Sequence, residues 1–156
     1  TTCVNESARL ASCVNFASVT RRLPSLRRLW RRWPSPGDRI ALGAFGERVA
    51  ARHLRRKGYR IIIRDYRCDL GQIDLIAAQG AMLVFVEVKT RGGDDEPFDG
   101  QNPVHHEQRE QITRAAKYFL RHPGAHDRPA RFDVVMVSVS DEGKTHVEHE
   151  EDAWQA

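Results

Sequence analysis

A chain of 156 residues, 40% hydrophobic and 29% charged, has the length and mix of one ordinary globular domain with a single sizeable core. Its formal net charge of +4 is unevenly spread. Residues 1–39 carry eight basic side chains against Glu6 and Asp38, so residues 40–156 are net −2, which excludes a uniformly basic nucleic-acid-binding domain. Cys3, Cys13 and Cys68 are odd in number and lack metal-ligand spacing, which excludes a disulfide framework and predicts a reducing, cytoplasmic setting. The longest apolar run, 81–86, excludes a membrane span, and Glu6, Arg9 and Asn15 interrupt any secretory apolar stretch.

Residues 1–38 read as a basic N-terminal extension, set apart from a domain over 39–156. Leu26, Leu29, Trp30 and Trp33 recur at helical spacing among arginines, and Pro34-Ser35-Pro36-Gly37 breaks the pattern. A phosphate-gripping arm, a membrane-surface segment, a transit-like leader and a loose chain end all fit this composition. Asp38 is then a natural N-cap for a helix running to about Lys57, where Gly58 stops it. Leu42, Gly43, Gly46, Val49, Ala50, His53 and Leu54 make its apolar arc, Arg48, Arg52, Arg55 and Arg56 lie opposite, and Glu47 sits at the edge of the arc.

Extended segments are predicted over 59–64, 72–77 and 81–89, the last two joined through Gln79-Gly80 as a hairpin. A Gly-, Asp- and Pro-rich loop over 91–103 precedes a second helix over 104–120. A strand over 131–139 and a short one over 145–149 complete the chain. This order of elements gives an α/β domain built on a mixed sheet flanked by helices.

The chemistry-bearing residues stand out against this frame. Asp74 lies inside a strand, between Ile73 and Leu75. Glu87 and Lys89 are two residues apart and leave the same face of theirs, at the end of the apolar run 83–88. Charges there are costly unless paired or bound to a metal. In the expected hairpin register Asp74 lies beside Glu87, and two adjacent carboxylates suit a hard cation such as Mg²⁺ or Mn²⁺. Such a site cuts phosphodiesters, with Lys89 holding water or stabilising transition-state charge and Glu47 completing the shell directly or through water. Taken singly, Glu-x-Lys reads as a same-face ion pair and Asp74 as a capping or turn residue; taken together they read as a site.

Gly43-Ala44-Phe45-Gly46-Glu47, Gly71-Gln72-Ile73-Asp74-Leu75-Ile76-Ala77, Val84-Phe85-Val86-Glu87-Val88-Lys89-Thr90-Arg91 and Arg131-Phe132-Asp133-Val134-Val135 closely resemble the YraN-like family of bacterial, endonuclease-related proteins. The resemblance covers about residues 40–156. It implies a restriction-endonuclease-like PD-(D/E)xK fold, similar to archaeal Holliday junction resolvases. It also implies Glu47 as the helix acid, Asp74 and Glu87 as metal ligands and Lys89 as the catalytic lysine. The family usually has Glu where this chain has Gln72, and often Lys where it has Gln108, so an auxiliary acid and one phosphate contact are missing.

Arg48, Arg52, Arg55, Arg56, Lys57, Arg60, Arg64 and Arg67 form the densest basic region of the domain, either a phosphate-binding face or a solvated one. Arg48, Arg52, Arg55, Arg67 and Arg91 are the expected nucleic-acid contacts. Tyr66 is expected in strand-end packing and Asp133 at the sheet end. His105-His106 and His122/His126 lack zinc-site spacing. The expected function is a metal-dependent endonuclease acting on DNA, branched or damaged, with a homodimer implied for two-strand cutting. A catalytically weak nucleic-acid-binding module, favoured by Gln72, and a partner-binding protein with purely structural carboxylates are the alternatives.

Overall fold

A computed structural model describes residues 38–93 and 103–156; the expectations for the extension over residues 1–37 and for most of the 91–103 loop lie outside the described residues. The elements are α1 (Arg39–Arg56), β1 (Arg60–Cys68), β2 (Gly71–Gln79), β3 (Met82–Gly92), α2 (His106–Phe119), β4 (Ala130–Val139) and β5 (Thr145–Trp154). The five strands form one mixed sheet in the order β1-β2-β3-β4-β5. Only β3 and β4 run parallel, and α2 makes the crossover between them. This is the α/β architecture expected of a restriction-endonuclease-like core.

Each element follows from its local sequence. Asp38 caps α1 by accepting from the Ala41 N–H at 3.0 Å, and Gly58 ends it with φ +89°, a conformation that glycine adopts without steric cost. Leu42, Ala50, Ala51 and Leu54 face the sheet and pack on Leu75, Ala77, Val84, Val86, Val135 and Val137. On the opposite layer α2 sets Ile112, Ala115 and Ala116 against Ile73, Ile76, Phe85, Phe132, Val134 and Met136. The central run Leu83–Val86 is therefore buried from both sides, Val84 and Val86 under α1 and Phe85 under α2, which explains its lack of polar alternation.

The 72–77 and 81–89 segments pair as the expected hairpin, which turns at Gly80-Ala81 with Gln79 paired to Met82. Strands β1 and β5 run furthest past the ends that their local patterns predict. β1 continues through Tyr66 and Arg67 to Cys68, and a tight turn at Asp69-Leu70 then starts β2. Strand β5 reaches Trp154 because Trp154 stacks on Phe132, with ring centroids 4.9 Å apart. Among the described residues no helix is long and apolar enough to cross a membrane.

Candidate metal centre

The β2–β3 ladder pairs Leu75 with Val86, and continuing it by one residue sets Asp74 opposite Glu87. Strand geometry alone would alternate faces, yet Ile73 and Ile76 both enter the α2 layer while Leu75 enters the α1 layer. The alternation therefore slips once at Asp74. The partner strand slips at the same rung: Ile63 and Tyr66 both face α2, and Asp65 between them has φ +50°. Asp tolerates this left-handed conformation better than a β-branched residue would. The paired slips leave Asp74 neither wholly under one helix nor the other. One of its oxygens, Oδ2, accepts the Val88 N–H at 2.8 Å, which ties β2 to β3 where the regular ladder stops.

Glu87 projects into the α2 layer with its side chain 8% exposed, and Lys89 follows on the same face with Nζ 3.2 Å from Glu87 Oε1. Gln108 from the first turn of α2 bridges them. Its Nε2 donates to Glu87 Oε1 at 2.6 Å and its Oε1 accepts from Lys89 Nζ at 2.7 Å. Glu87 also lines an open cleft of about 520 Å³ with Arg67, Cys68, Asp69, Gly71, Gln72, Gln108 and Gln111. Gln72, uncharged, is on its rim.

Glu47 approaches from the other layer. Gly46 lies so close to β3 that a Cβ there would overlap Thr90 Oγ1 and sit 2.8 Å from Thr90 Cβ, so only glycine lets α1 descend this far. The Thr90 hydroxyl is itself buried at this contact and has no hydrogen-bond partner among the described residues. The electrostatics reflect the crowding. Burial and Asp74 push the Glu87 carboxyl up to about 7, against the opposing pull of Lys89 and Gln108. Burial raises Asp74 too, with Asp65 adding to it, and the Val88 N–H and Lys89 oppose the rise. Glu47 is raised by burial, Asp74 and Asp65.

Asp65 thus belongs to the charge cluster, and it is not among the expected site residues. The signal was present: a turn at Asp69-Leu70 puts Asp65 on the rung of Asp74, but only once β1 is known to reach Cys68. Arg67, one of the expected nucleic-acid contacts, holds Asp65 through Nε at 2.8 Å and lines the cleft. Arg48, Arg52 and Arg55 are exposed on the outer side of α1, and Arg91 is half-buried near the end of β3. Lys57, from the same basic run, is committed elsewhere, to Glu151 and His149. Asp133 stands apart from the cluster, bound by Arg131, His149 and the Asp152 N–H.

Among the described residues no three His, Cys, Asp or Glu side chains converge into a ready metal shell. Asp74 and Glu87 nonetheless fit a hard divalent cation. They are two carboxylates held together by the fold and raised by burial first, with Asp74 adding to the rise of Glu87 and Asp65 to that of Asp74, and a cation relieves that crowding of negative charge beside Lys89. Carboxylate oxygens without thiolate or imidazole favour Mg²⁺ or Mn²⁺ over zinc or copper.

Residues 46–137, which include all these groups, match the model described as "Uncharacterised protein family UPF0102". The chain is 42% identical over 115 residues to a UPF0102 protein of Rhodococcus jostii (strain RHA1), covering 74% of this chain and 97% of that one. It is 45% identical over 100 residues to one from Moorella thermoacetica, covering 61% and 78%. A UPF0102 protein of Geotalea uraniireducens is 38% identical over 120 residues, 76% and 92% of the two chains. With the model match spanning more than half of its length and these relatives aligned over 78–97% of theirs, the chain belongs to the UPF0102 family.

Proposed function

We propose that this protein is a divalent-metal-dependent nuclease acting on DNA. The observation that carries the reading is the pair of crowded carboxylates, Asp74 and Glu87, with Lys89 Nζ 3.2 Å from Glu87 on the face that opens to the cleft. Asp74 and Glu87 would hold Mg²⁺ or Mn²⁺, with Glu47 reaching it through water. The bound cation supplies positive charge against the phosphodiester oxygens and acidifies water. Lys89 orients the attacking water or donates to the phosphoryl oxygens as negative charge builds on them. Arg67 meets a phosphate at the cleft, and Arg48, Arg52, Arg55 and Arg91 grip the flanking backbone. Branched or damaged DNA is the substrate class we favour, cut by a homodimer that offers one site to each strand, in the cytoplasm where such DNA arises.

A second reading has its own observation. Gln72 is exposed on the cleft and brings no charge to it, which favours a nucleic-acid-binding module with little turnover. Incubation with linear, nicked and four-way-junction DNA, with and without Mg²⁺ or Mn²⁺, separates the two. Metal-dependent cleavage lost in Glu87→Ala and Lys89→Ala supports the nuclease. Retarded migration without cleavage supports the binding module, and no interaction with any DNA sinks both.

A further inference from the structure

Gln108 stands where a lysine or a glutamate could make only half of the contacts seen. Its amide offers a donor and an acceptor at once: Nε2–H to Glu87 Oε1 at 2.6 Å, and Oε1 to Lys89 Nζ at 2.7 Å. Lysine has no acceptor and carboxylate has no donor. The bridge joins α2 to β3 across the very pair of side chains that must part in the nuclease reading. Glu87 has to turn its oxygens to a cation, and Lys89 has to stay poised toward the cleft.

We propose that Gln108 is a positioning residue with two opposed effects, an inference that rests on the metal-nuclease reading of this site. Through Oε1 it anchors Lys89, whose side chain is 26% exposed and so has room to wander. Through Nε2 it occupies Glu87 Oε1, and Glu87 must exchange this hydrogen bond for the cation. The amide therefore weakens metal binding while it improves the placement of the lysine. The position on the first turn of α2, at the wall of the cleft beside Gln111, lets the amide swing off Glu87 without moving the helix.

Two variants of the full chain separate these effects. Gln108→Met keeps the length of the side chain and removes both hydrogen bonds. Gln108→Glu keeps the acceptor for Lys89 and replaces the donor to Glu87 with a second carboxylate oxygen, which repels Glu87 until the cation binds between them, so its kcat and not its Mn²⁺ affinity is the quantity compared. Mn²⁺ binding is measured by calorimetry at the same pH for wild type and variants, and thermal melting checks that each variant is folded. Cleavage is followed at saturating Mn²⁺. In Gln108→Met, Mn²⁺ is expected to bind about tenfold tighter, the lower end of what a hydrogen bond to a charged group contributes. Its kcat is expected to fall at least about tenfold as Lys89 loses its anchor. Gln108→Glu is expected to return kcat to within about threefold of wild type.

A purely structural glutamine would not move affinity and kcat in opposite senses. Unchanged or weaker Mn²⁺ binding in a folded Gln108→Met protein overturns the proposal, as does a Gln108→Glu protein as slow as Gln108→Met. Wild-type protein that binds no Mn²⁺ removes the metal site and this role with it. Wild-type protein that binds Mn²⁺ without cutting DNA removes only the nuclease reading, and the Mn²⁺ affinities then decide the Gln108 effect on Glu87 by themselves.

Discussion

Glu87 on β3 and Asp133 on β4 lie on neighbouring strands, one rung apart and directed into opposite layers, and both are withdrawn from solvent. Asp133 is fully paired. Its Oδ1 accepts from Arg131 Nε at 2.9 Å and the Asp152 N–H at 3.1 Å, and its Oδ2 accepts from Arg131 Nη2 at 3.2 Å and His149 Nε2 at 2.9 Å. Those partners are themselves braced: Arg131 reaches the Tyr59 hydroxyl and Glu151, and His149 Nδ1 lies 2.9 Å from Lys57 Nζ. Burial pushes the Asp133 carboxyl up, but His149, Arg131 and the Asp152 N–H more than offset it, and it ends below its ordinary value. Glu87 has an amide, one lysine and a neighbouring acid, and it ends well above its ordinary value. The same residue chemistry is used once to close a fold and once to hold an unmet demand for positive charge.

The sharpest way to break this comparison is to remove each acid in turn. Asp133→Ala leaves Arg131 and His149 facing an empty buried site, and chemical denaturation should show a loss of about 3–5 kcal/mol. The reverse holds at the other acid. Glu87→Gln should cut DNA cleavage by about 10²–10³-fold while leaving metal-free stability equal or higher, since it removes a charge the fold does not satisfy. If Glu87→Gln proves as destabilising as Asp133→Ala, the two acids are alike and the distinction fails. Gly46→Ala should cost roughly 1–3 kcal/mol by pushing α1 away from Thr90, and it should lower activity beyond that loss because Glu47 moves with the helix. Thr90→Gly in the same chain should restore part of both, read by melting and by cleavage rate.

Proton linkage gives the mildest test. The Glu87 carboxyl is held at about 7, above its ordinary 4.5, so the folded metal-free protein binds the extra proton between those values. Its contribution to stability is full below the ordinary value and is lost as pH rises through about 7; Asp74 acts in the same direction. Asp133 is depressed, so its contribution is present above its ordinary 3.8 and is lost as pH falls through its lowered value. The melting temperature should therefore peak at mildly acidic pH and drop by a few degrees toward pH 8. Mn²⁺ or the Glu87→Gln change should flatten the alkaline side and leave the acid side alone.

What could be read from the chain follows the same division. The cap at Asp38, the apolar arc of α1, the β2–β3 hairpin and the twice-covered run before Glu87 are local patterns, and each is present. Asp74, Glu87 and Lys89 were legible as neighbours because one hairpin register and one i, i+2 spacing bring them together. Asp65 was not, because its place depends on where β1 ends, and that end is set by packing of Tyr66 against α2. The bridge made by Gln108 is not legible either, since nothing local tells that α2 delivers it between Glu87 and Lys89. The run His146 to Glu151 has no apolar alternation; it is a strand because Asp133, Arg131 and Lys57 bind its side chains from other elements.

The paired slip at Asp65 and Asp74 has a mechanical consequence. In a regular sheet successive side chains point into opposite helical layers, so a single side chain serves one layer or the other. Here Asp74 interacts with Glu47 of the α1 layer and with Glu87 of the α2 layer. Neutralising that one carboxylate relaxes repulsion on both sides of the sheet together. Amide hydrogen exchange in α1 and α2 should therefore slow in concert on addition of Mn²⁺, with the strand between them acting as a lever and its fulcrum at Asp74.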